Sequence, residues 1–184
     1  MKSCLTKILK TNRTILFVGL VIMLSGLNKI SAQETDYKAY TLYVYNFMKY
    51  VEWPENQNKG DFIIVLIGKS KIEKELRNLA LQKKIKGRNI QIKTSNSVDE
   101  INDCHLLYIA EDKSSAIKEI NLKLKNRSIL IVGERDGLAS KGASLSFATL
   151  DSDELSFDIN KKVIEQRNLK IASSLLKLGS VVEE

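Results

Sequence analysis

The chain has little histidine, cysteine or proline, with one His, two Cys and one Pro among 184 residues. So few cysteines exclude a small fold held together by disulfides, and so little proline excludes a collagen-like fibre. Hydrophobic residues make up 43% of the chain, which excludes a disordered tail. A polytopic membrane protein needs a series of apolar runs of about 18 residues, which the sequence does not have. The composition therefore indicates a globular protein.

Acidic residues are missing from the first 32 positions, which hold five of the 29 basic residues. An apolar stretch from Thr14 to Leu27 follows and is shorter than the roughly 18 to 20 residues that cross a bilayer. This order of basic, apolar and small residues is typical of a secretory signal peptide. We expect residues 1–32 to be that signal, with cleavage between Ala32 and Gln33. An uncleaved N-terminal membrane anchor is the alternative.

The basic character of the chain is concentrated in this signal. The whole chain has a formal net charge of +7, whereas residues 33–184 keep 24 of the 29 basic and all 22 acidic side chains. A nucleic-acid-binding domain shows basic residues clustered in excess. We therefore expect no nucleic-acid partner. Residues 33–184 show no internal linker and predict a single domain of ordinary size with no transmembrane segment.

Continuous apolar runs alternate with helical patterns through the middle of the chain. Strands are predicted over 61–67, 89–93, 104–110 and 128–132, and helices over 36–51, 70–80 and 114–125. Runs without polar alternation are typical of parallel strands that are covered on both faces. The predicted fold class is α/β, with a mostly parallel central sheet and helices on both faces.

The last third of the chain has a different pattern. Residues 143–149 and 155–159 alternate apolar and polar side chains, which predicts an antiparallel hairpin at the C-terminal edge of the sheet. The apolar spacing over 171–182 predicts a closing helix.

No motif for catalysis is found. Gly68-Lys69-Ser70 follows a strand, but residue 63, where a phosphate loop needs its first glycine, is isoleucine. Cys104 and His105 are adjacent on a strand and point to opposite faces, so they form neither a nucleophile pair nor a metal site. We therefore expect no enzyme, no catalytic residue, no cofactor and no metal. Cys104 is interpreted as a buried core thiol, with an intermolecular bridge as the alternative.

Polar residues follow two of the predicted parallel strands, where open α/β sheets bind their ligands. Gly68–Ser70 opens a helix, whose N-terminus can hold an anion. Gly133–Gly137 ends another strand, and a solvated turn is its alternative interpretation. The candidate ligand-binding residues are Gly68, Lys69, Ser70, Gly133, Glu134 and Asp136.

Aromatic residues crowd the first predicted helix and its end. They are Tyr37, Tyr40, Tyr43, Tyr45, Tyr50 and Trp53. One buried face does not absorb this many rings, which predicts a contact surface, with a wide core stripe as the alternative. The closing segment adds Leu175, Leu176 and Leu178. A homodimer through these two segments is therefore expected.

Seven segments in order resemble the YfiR-like family of small exported bacterial proteins, also called YfiR/HmsC-like. They are LYVYNFMKYVEWP at 42–54, FIIVLIG at 62–68, GRNI at 87–90, CHLLYIA at 104–110, ILIVG at 129–133, SFDIN at 156–160 and IASSLLKL at 171–178. The resemblance covers residues 36 to 182.

The resemblance implies a periplasmic, non-enzymatic regulator in cyclic-di-GMP signalling. Such a regulator binds the periplasmic part of an inner-membrane signalling protein, a diguanylate cyclase or a sensor kinase, and modulates its output. It also implies homodimers and an outer-membrane lipoprotein as a further partner. Better known members carry paired cysteines, whereas this domain keeps only Cys104, so redox control by an internal disulfide is not expected.

Two surfaces are the first candidates for partner contact. They consist of Tyr43, Asn46, Lys49, Tyr50 and Trp53 on the aromatic helix, together with Gly87 and Arg88. A purely structural Trp53-Pro54 helix stop is the alternative interpretation there. The alternative function is a periplasmic sensor domain that binds a small ligand.

Overall fold

The computed structural model describes residues 35–150 and 154–182. The expected signal peptide and its cleavage position at Ala32 and Gln33 lie outside the described residues. From Asp36 onward the chain forms one compact unit. Its strands are β1 (Val51–Glu52), β2 (Phe62–Ile67), β3 (Ile90–Ser95), β4 (Leu106–Ile109), β5 (Leu130–Gly133), β6 (Leu145–Thr149), β7 (Leu155–Ile159), β8 (Lys170–Ile171) and β9 (Ser180–Val181). Its α-helices are α1 (Tyr37–Tyr50), α2 (Ile72–Gln82), α3 (Ile117–Lys123), α4 (Lys161–Gln166) and α5 (Ser173–Leu176).

The main sheet has seven strands in the order β3-β2-β4-β5-β6-β7-β9. Every pair from β3 to β6 is parallel, β6 and β7 form an antiparallel hairpin, and β9 adds in parallel to β7. A separate two-stranded antiparallel sheet pairs β1 with β8. The α/β class, the mostly parallel sheet and the C-terminal hairpin predicted from the sequence are confirmed.

The strands are buried on both faces, which explains their continuous apolar runs. On β2, Ile64 and Leu66 belong to the core that holds α1 and α2. Val65, between them, belongs to the core that holds α3 on the opposite face. Strands β4 and β5 divide their side chains in the same way. Helices therefore cover both faces of the sheet, as expected.

Helix α1 carries the aromatic segment across the first core. Asp36 caps it, because its carboxylate accepts hydrogen bonds from the backbone N–H groups of Lys38 and Ala39 at 3.0 and 3.2 Å. Val44 and Phe47 are fully buried on its inner face. The tyrosines of this helix are partly buried and pack against the same core. The wide core stripe therefore accounts for much of the aromatic content.

The closing helix predicted over 171–182 is wrong. Only α5, a helix of four residues, forms there. The residues on either side of it pair as strands β8 and β9 instead. Gly179 lies so close to the ring of Phe157 that a Cβ atom would collide with it, so the backbone packs against the sheet here.

The sequence pattern does not predict helix α4, because it indicates Asn160 only as the residue that ends a strand. Its side chain accepts a hydrogen bond from the Val163 N–H at 3.0 Å and so begins a helix as well. Helix α3 begins later than predicted, at Ile117, because Glu111–Ala116 forms 3₁₀ turns.

Leu76 and Leu81 on α2 give a matched test of the first core. Leu76 is fully buried, whereas Leu81 is 87% exposed. We expect Leu76→Ala to lower the free energy of unfolding by about 2 to 5 kcal/mol, since it removes buried methyl groups and leaves a cavity. Leu81→Ala should change it by no more than about 0.5 kcal/mol. Urea denaturation measures both, and equal losses would contradict the packing of α2.

Candidate functional site

The carboxyl ends of β2, β4 and β5 bring polar residues together on one carboxylate. The Ser70 hydroxyl, after β2, donates a hydrogen bond to Oε1 of Glu134 at 2.8 Å. The backbone N–H of Glu111, after β4, donates to Oε2 at 3.1 Å. The chain leaves β2 toward α2 on one face and leaves β4 toward α3 on the other. This is the crevice in which open α/β sheets bind ligands.

Glu134 is partly buried in this crevice. Burial raises the pKa of its carboxyl group, and hydrogen bonds from the Ser70 and Tyr37 hydroxyls and from the Glu111 N–H oppose that rise. The tyrosine of β4, Tyr108, is fully buried, and its hydroxyl has no hydrogen-bond partner in the described part of the chain. Burial and the charge of Glu134 raise the pKa of Tyr108. Ser70, Glu111, Glu134, Tyr37 and Tyr108 are named here the carboxyl-edge cluster.

The six candidate ligand-binding residues all lie at this edge of the sheet, in different roles. Ser70 and Glu134 make direct contact. Lys69 is exposed, and its backbone N–H donates to Oδ1 of Asp112 at 3.1 Å. Asp136 is exposed. Burial raises the pKa of Tyr40, and the negative charge of Asp136 contributes to that rise.

The two glycines, Gly68 and Gly133, are required by the backbone at this edge. Gly68 has a φ of +93°, and a Cβ atom on it would collide with the side chains of Asp112 and Lys113. A Cβ atom on Gly133 would collide with Leu138. Both glycines therefore let neighbouring segments approach closely.

The amino ends of β2 and β4 meet at His105, which is 9% exposed. The backbone N–H of Ile63 donates to Nδ1 of His105 at 2.9 Å, so Nδ1 carries no proton. The proton of the neutral ring is therefore on Nε2, which lies 3.0 Å from the carbonyl oxygen of Gln57 and donates to it. Nη2 of Arg88 lies 2.8 Å from Nε2 and places a positive charge beside the ring.

Trp53 and Arg88 complete this arrangement. The indole N–H of Trp53 donates to the carbonyl oxygen of His105 at 3.1 Å, and its ring packs edge-on against Phe62. Arg88 donates to three consecutive backbone carbonyls at residues 59, 60 and 61 at 3.2, 2.7 and 2.9 Å. Trp53, Gln57, Phe62, Arg88 and His105 are named here the histidine cluster. It fixes the loop between β1 and β2.

The candidate partner-binding residues divide into inward and outward groups. Trp53 is 7% exposed, and the hydroxyl of Tyr43 donates to the carbonyl oxygen of Leu155 at 3.2 Å. These contacts favour the structural interpretation of Trp53. Lys49 is exposed, with its ammonium group 5.6 Å from the ring centroid of Tyr50. Asn46 is half-buried.

A cleft of about 790 Å³ lies beside the histidine cluster. Trp53 forms part of its wall, and Lys86, the neighbour of Gly87, forms another part. Gly87 has a φ of +81° with open space where a side chain would stand. The lining residues are Glu52, Trp53, Pro54, Glu55, Asn58, Lys86, Glu165, Asn168, Leu169 and Lys170.

Cys104 belongs to the second core, whereas Trp53 and Phe62 of the histidine cluster belong to the first, and Cys104 is 4% exposed. Burial raises the pKa of its thiol to about 12, which keeps it protonated and unreactive at neutral pH. Its interpretation as a core thiol is consistent with this position. Among residues 35–150 and 154–182, no three His, Cys, Asp or Glu side chains lie close enough to hold a metal ion.

No local sequence pattern indicates the roles of His105 and Tyr108. Both lie in an apolar run that predicts a strand. The partners of His105 come from distant segments, and the Tyr108 hydroxyl has none among the described residues. His105 contacts Gln57 and Arg88, which are 48 and 17 residues away in the chain.

The neutral state of His105 predicts a pH-dependent stability. Burial lowers the pKa of His105, and the charge of Arg88 lowers it further, against the effect of the hydrogen bond to Gln57. Below the ordinary value of about 6.5, the unfolded chain takes up a proton that the folded chain resists. Stability should therefore fall as the pH drops from about 6.5 toward the lowered pKa.

His105→Asn isolates this effect, because His105 is the only histidine in the chain. Asparagine keeps an acceptor for the Ile63 N–H and does not titrate. The wild-type urea midpoint should drop relative to that of the variant between pH 7.5 and pH 5.5. Parallel pH profiles of the two proteins would show that the imidazole is not held neutral.

Glu134 predicts a dependence of opposite sign. Its pKa is raised, so between the ordinary value of about 4.3 and the raised value the folded chain keeps a proton that the unfolded chain releases. Wild-type stability is therefore lost as the pH rises through this interval. Glu134→Gln should gain stability relative to wild type from pH 4 to pH 7 in thermal unfolding. A constant difference across that range would contradict the desolvation of this carboxylate.

No curated protein is significantly similar in sequence to the chain. A conserved domain protein from Vibrio cholerae shares the fold with a TM-score of 0.58 at 11% identity, and the match covers 81% of this chain and 60% of that one. The ABC domain of Streptococcus pneumoniae, solved in complex with L-Trp, matches with a TM-score of 0.49 at 13% identity over 66% of this chain and 55% of that one. The chain thus spans less than two thirds of either protein.

The YfiR/HmsC-like family model matches residues 37–180. This family is periplasmic, regulatory and non-enzymatic, and it implies interaction with a membrane signalling protein. In the described ranges, none of the helices has the length and apolar content needed to cross a bilayer. With seven resembling segments and a family match over most of its length, the chain belongs to the YfiR/HmsC-like family.

Proposed function

We propose that this protein regulates cyclic-di-GMP signalling from the periplasm by binding the periplasmic part of an inner-membrane signalling protein. The partner is a diguanylate cyclase or a sensor kinase, and binding modulates its output. The observation that carries this proposal is the family match over residues 37–180. Export by residues 1–32 is part of the same proposal.

The cleft beside the histidine cluster is the proposed centre of the partner-binding surface. Trp53, Pro54 and Leu169 supply apolar wall, and Glu55, Lys86, Glu165 and Lys170 supply charged groups of both signs. An apolar centre with a polar rim is the usual composition of a protein–protein interface. The histidine cluster holds the loop next to this cleft in one conformation, which lowers the entropy lost on binding.

The outer face of α1 extends the proposed surface. Leu42, Tyr45, Asn46 and Lys49 recur at the spacing of residues that share one face of a helix. Leu42 is 60% exposed, although it is a large apolar side chain. Asn46 and Lys49, two of the candidate partner residues, lie on this outer stripe, and α1 leads directly into β1 and Trp53.

Homodimer formation is proposed through the same outer face of α1 and the segment after α5, where Leu178 is 63% exposed. An outer-membrane lipoprotein as a further partner rests on the family resemblance alone.

A second candidate function is a periplasmic sensor that binds a small ligand at the carboxyl-edge cluster. The observation that favours it is the Tyr108 hydroxyl, which is buried beside Glu134 without a hydrogen-bond partner in the described residues. A buried hydroxyl without a partner costs about 1 to 3 kcal/mol. A bound polar ligand would remove that cost.

Affinity capture from the cell envelope tests the proposed partner binding. The exported protein carries a C-terminal tag, and captured proteins are identified by mass spectrometry. We expect an inner-membrane protein with a cyclase or kinase domain to be recovered. Lys86→Glu and Lys49→Glu should each weaken recovery about tenfold, which corresponds to about 1.4 kcal/mol of binding free energy.

Lys118→Glu is the matched control, because Lys118 is exposed on α3, on the other face of the sheet. It makes the same charge change and should bind like wild type. Equal recovery of the signalling protein by all variants would place the interface elsewhere. Recovery of no signalling protein, together with a ligand-induced melting shift that Glu134→Gln abolishes, would favour the sensor function.

A further inference from the structure

A second cleft, of about 530 Å³, lies where α3 and α4 end next to each other. Its wall contains two cationic side chains and three side-chain amides, and it contains no carboxylate. The lining residues are Asn121, Lys125, Asn126, Gly142, Val163, Gln166 and Arg167. The cleft is separate from the carboxyl-edge cluster and from the cleft beside Trp53, with which it shares no lining residue.

Arg167 is a buried cation in this wall, with 7% of its surface exposed. Its Nη1 donates to the carbonyl oxygens of Leu124 and Arg127 at 3.1 and 3.4 Å. Its Nη2 donates to Oδ1 of Asn121 at 2.7 Å. All three acceptors are neutral, and its Nε–H has no acceptor within the described ranges.

A buried guanidinium without a counter-ion is expensive in free energy. The carbonyls at the C-terminal end of α3 carry a partial negative charge that compensates it only in part. Burial lowers the pKa of Arg167, in agreement with incomplete compensation. No described carboxylate supplies the remaining negative charge at salt-bridge distance.

The rest of the wall offers further donors. Lys125, Asn126 and Gln166 are exposed side chains at the rim. The back of the cleft is fixed, because Nδ2 of Asn121 donates to the carbonyl oxygen of Gly142 at 3.1 Å. A Cβ atom on Gly142 would collide with that same amide group. Asn121 thus connects the loop before β6 to Arg167.

We propose that this cleft binds a small oxyanion, a carboxylate or a phosphate group, next to Arg167. The oxyanion supplies the negative charge that the buried guanidinium lacks. It accepts hydrogen bonds from the side chains of Lys125, Asn126 and Gln166 at the rim. This site is independent of the proposed partner binding.

A titration of the exported protein with sodium phosphate and, separately, with sodium acetate tests the site. Sodium chloride at the same ionic strength controls for screening. We expect one of the two oxyanions to raise the melting temperature along a saturating curve. The side-chain amide signals of Asn126 and Gln166 in NMR should shift with the same dissociation constant. The anion whose melting-temperature curve saturates at the lower concentration shows whether the site prefers a phosphate or a carboxylate group.

Lys125→Gln should raise that dissociation constant at least fivefold. Lys118→Gln removes the same charge from α3 outside the cleft and should leave it unchanged. Because both lysines are exposed, we expect both variants to fold like wild type. The proposal is overturned if chloride stabilises the protein as much as the oxyanions do, or if Lys125→Gln binds like wild type. In that case Arg167 serves only to hold the end of α3.

Discussion

The burial of the parallel strands on both faces is the constraint on which the rest of this structure depends. Side chains of β2, β4 and β5 enter one core or the other along their whole length. Within these three strands Tyr108 alone carries a polar side-chain atom, so the other polar groups of this region lie beyond the strand ends. His105 lies at the amino ends and Glu134 at the carboxyl ends. These two positions gather hydrogen bonds from segments far apart in sequence.

The amino and carboxyl ends of the parallel strands differ in how they shift the pKa of a partly buried titratable group. At the amino ends, burial and the charge of Arg88 lower the pKa of His105, and the hydrogen bonds around its ring hold the loop beside the cleft in place. At the carboxyl ends, Glu134 is desolvated and lies near the unpartnered hydroxyl of Tyr108. The first arrangement holds in place the loop beside the surface that we propose for a protein partner. The second resembles a ligand site, which is why sensing remains the second candidate function.

Sequence patterns predicted the elements whose apolar spacing is regular and missed those set by tertiary pairing. Helix α1, strand β2 and the β6–β7 hairpin follow their residue patterns closely. The closing segment has a helical apolar spacing, yet its ends pair with β1 and β7, and Gly179 must pack on Phe157. Ser70 and Glu134 are both candidate ligand-binding residues because each follows a predicted strand, and the structure brings them into contact. The indole N–H of Trp53 donates to the backbone carbonyl oxygen of His105, a contact between distant segments that no local pattern indicates.

The central claim is that this YfiR/HmsC-like protein controls an inner-membrane signalling protein through the surface around Trp53. Intracellular cyclic-di-GMP tests it most directly, in cells that lack the protein and in the same cells complemented with variants. The account predicts that the nucleotide level changes on deletion and that wild type and Lys118→Glu restore it, whereas Lys86→Glu does not. An unchanged level in the deletion strain, or full restoration by Lys86→Glu, would contradict it.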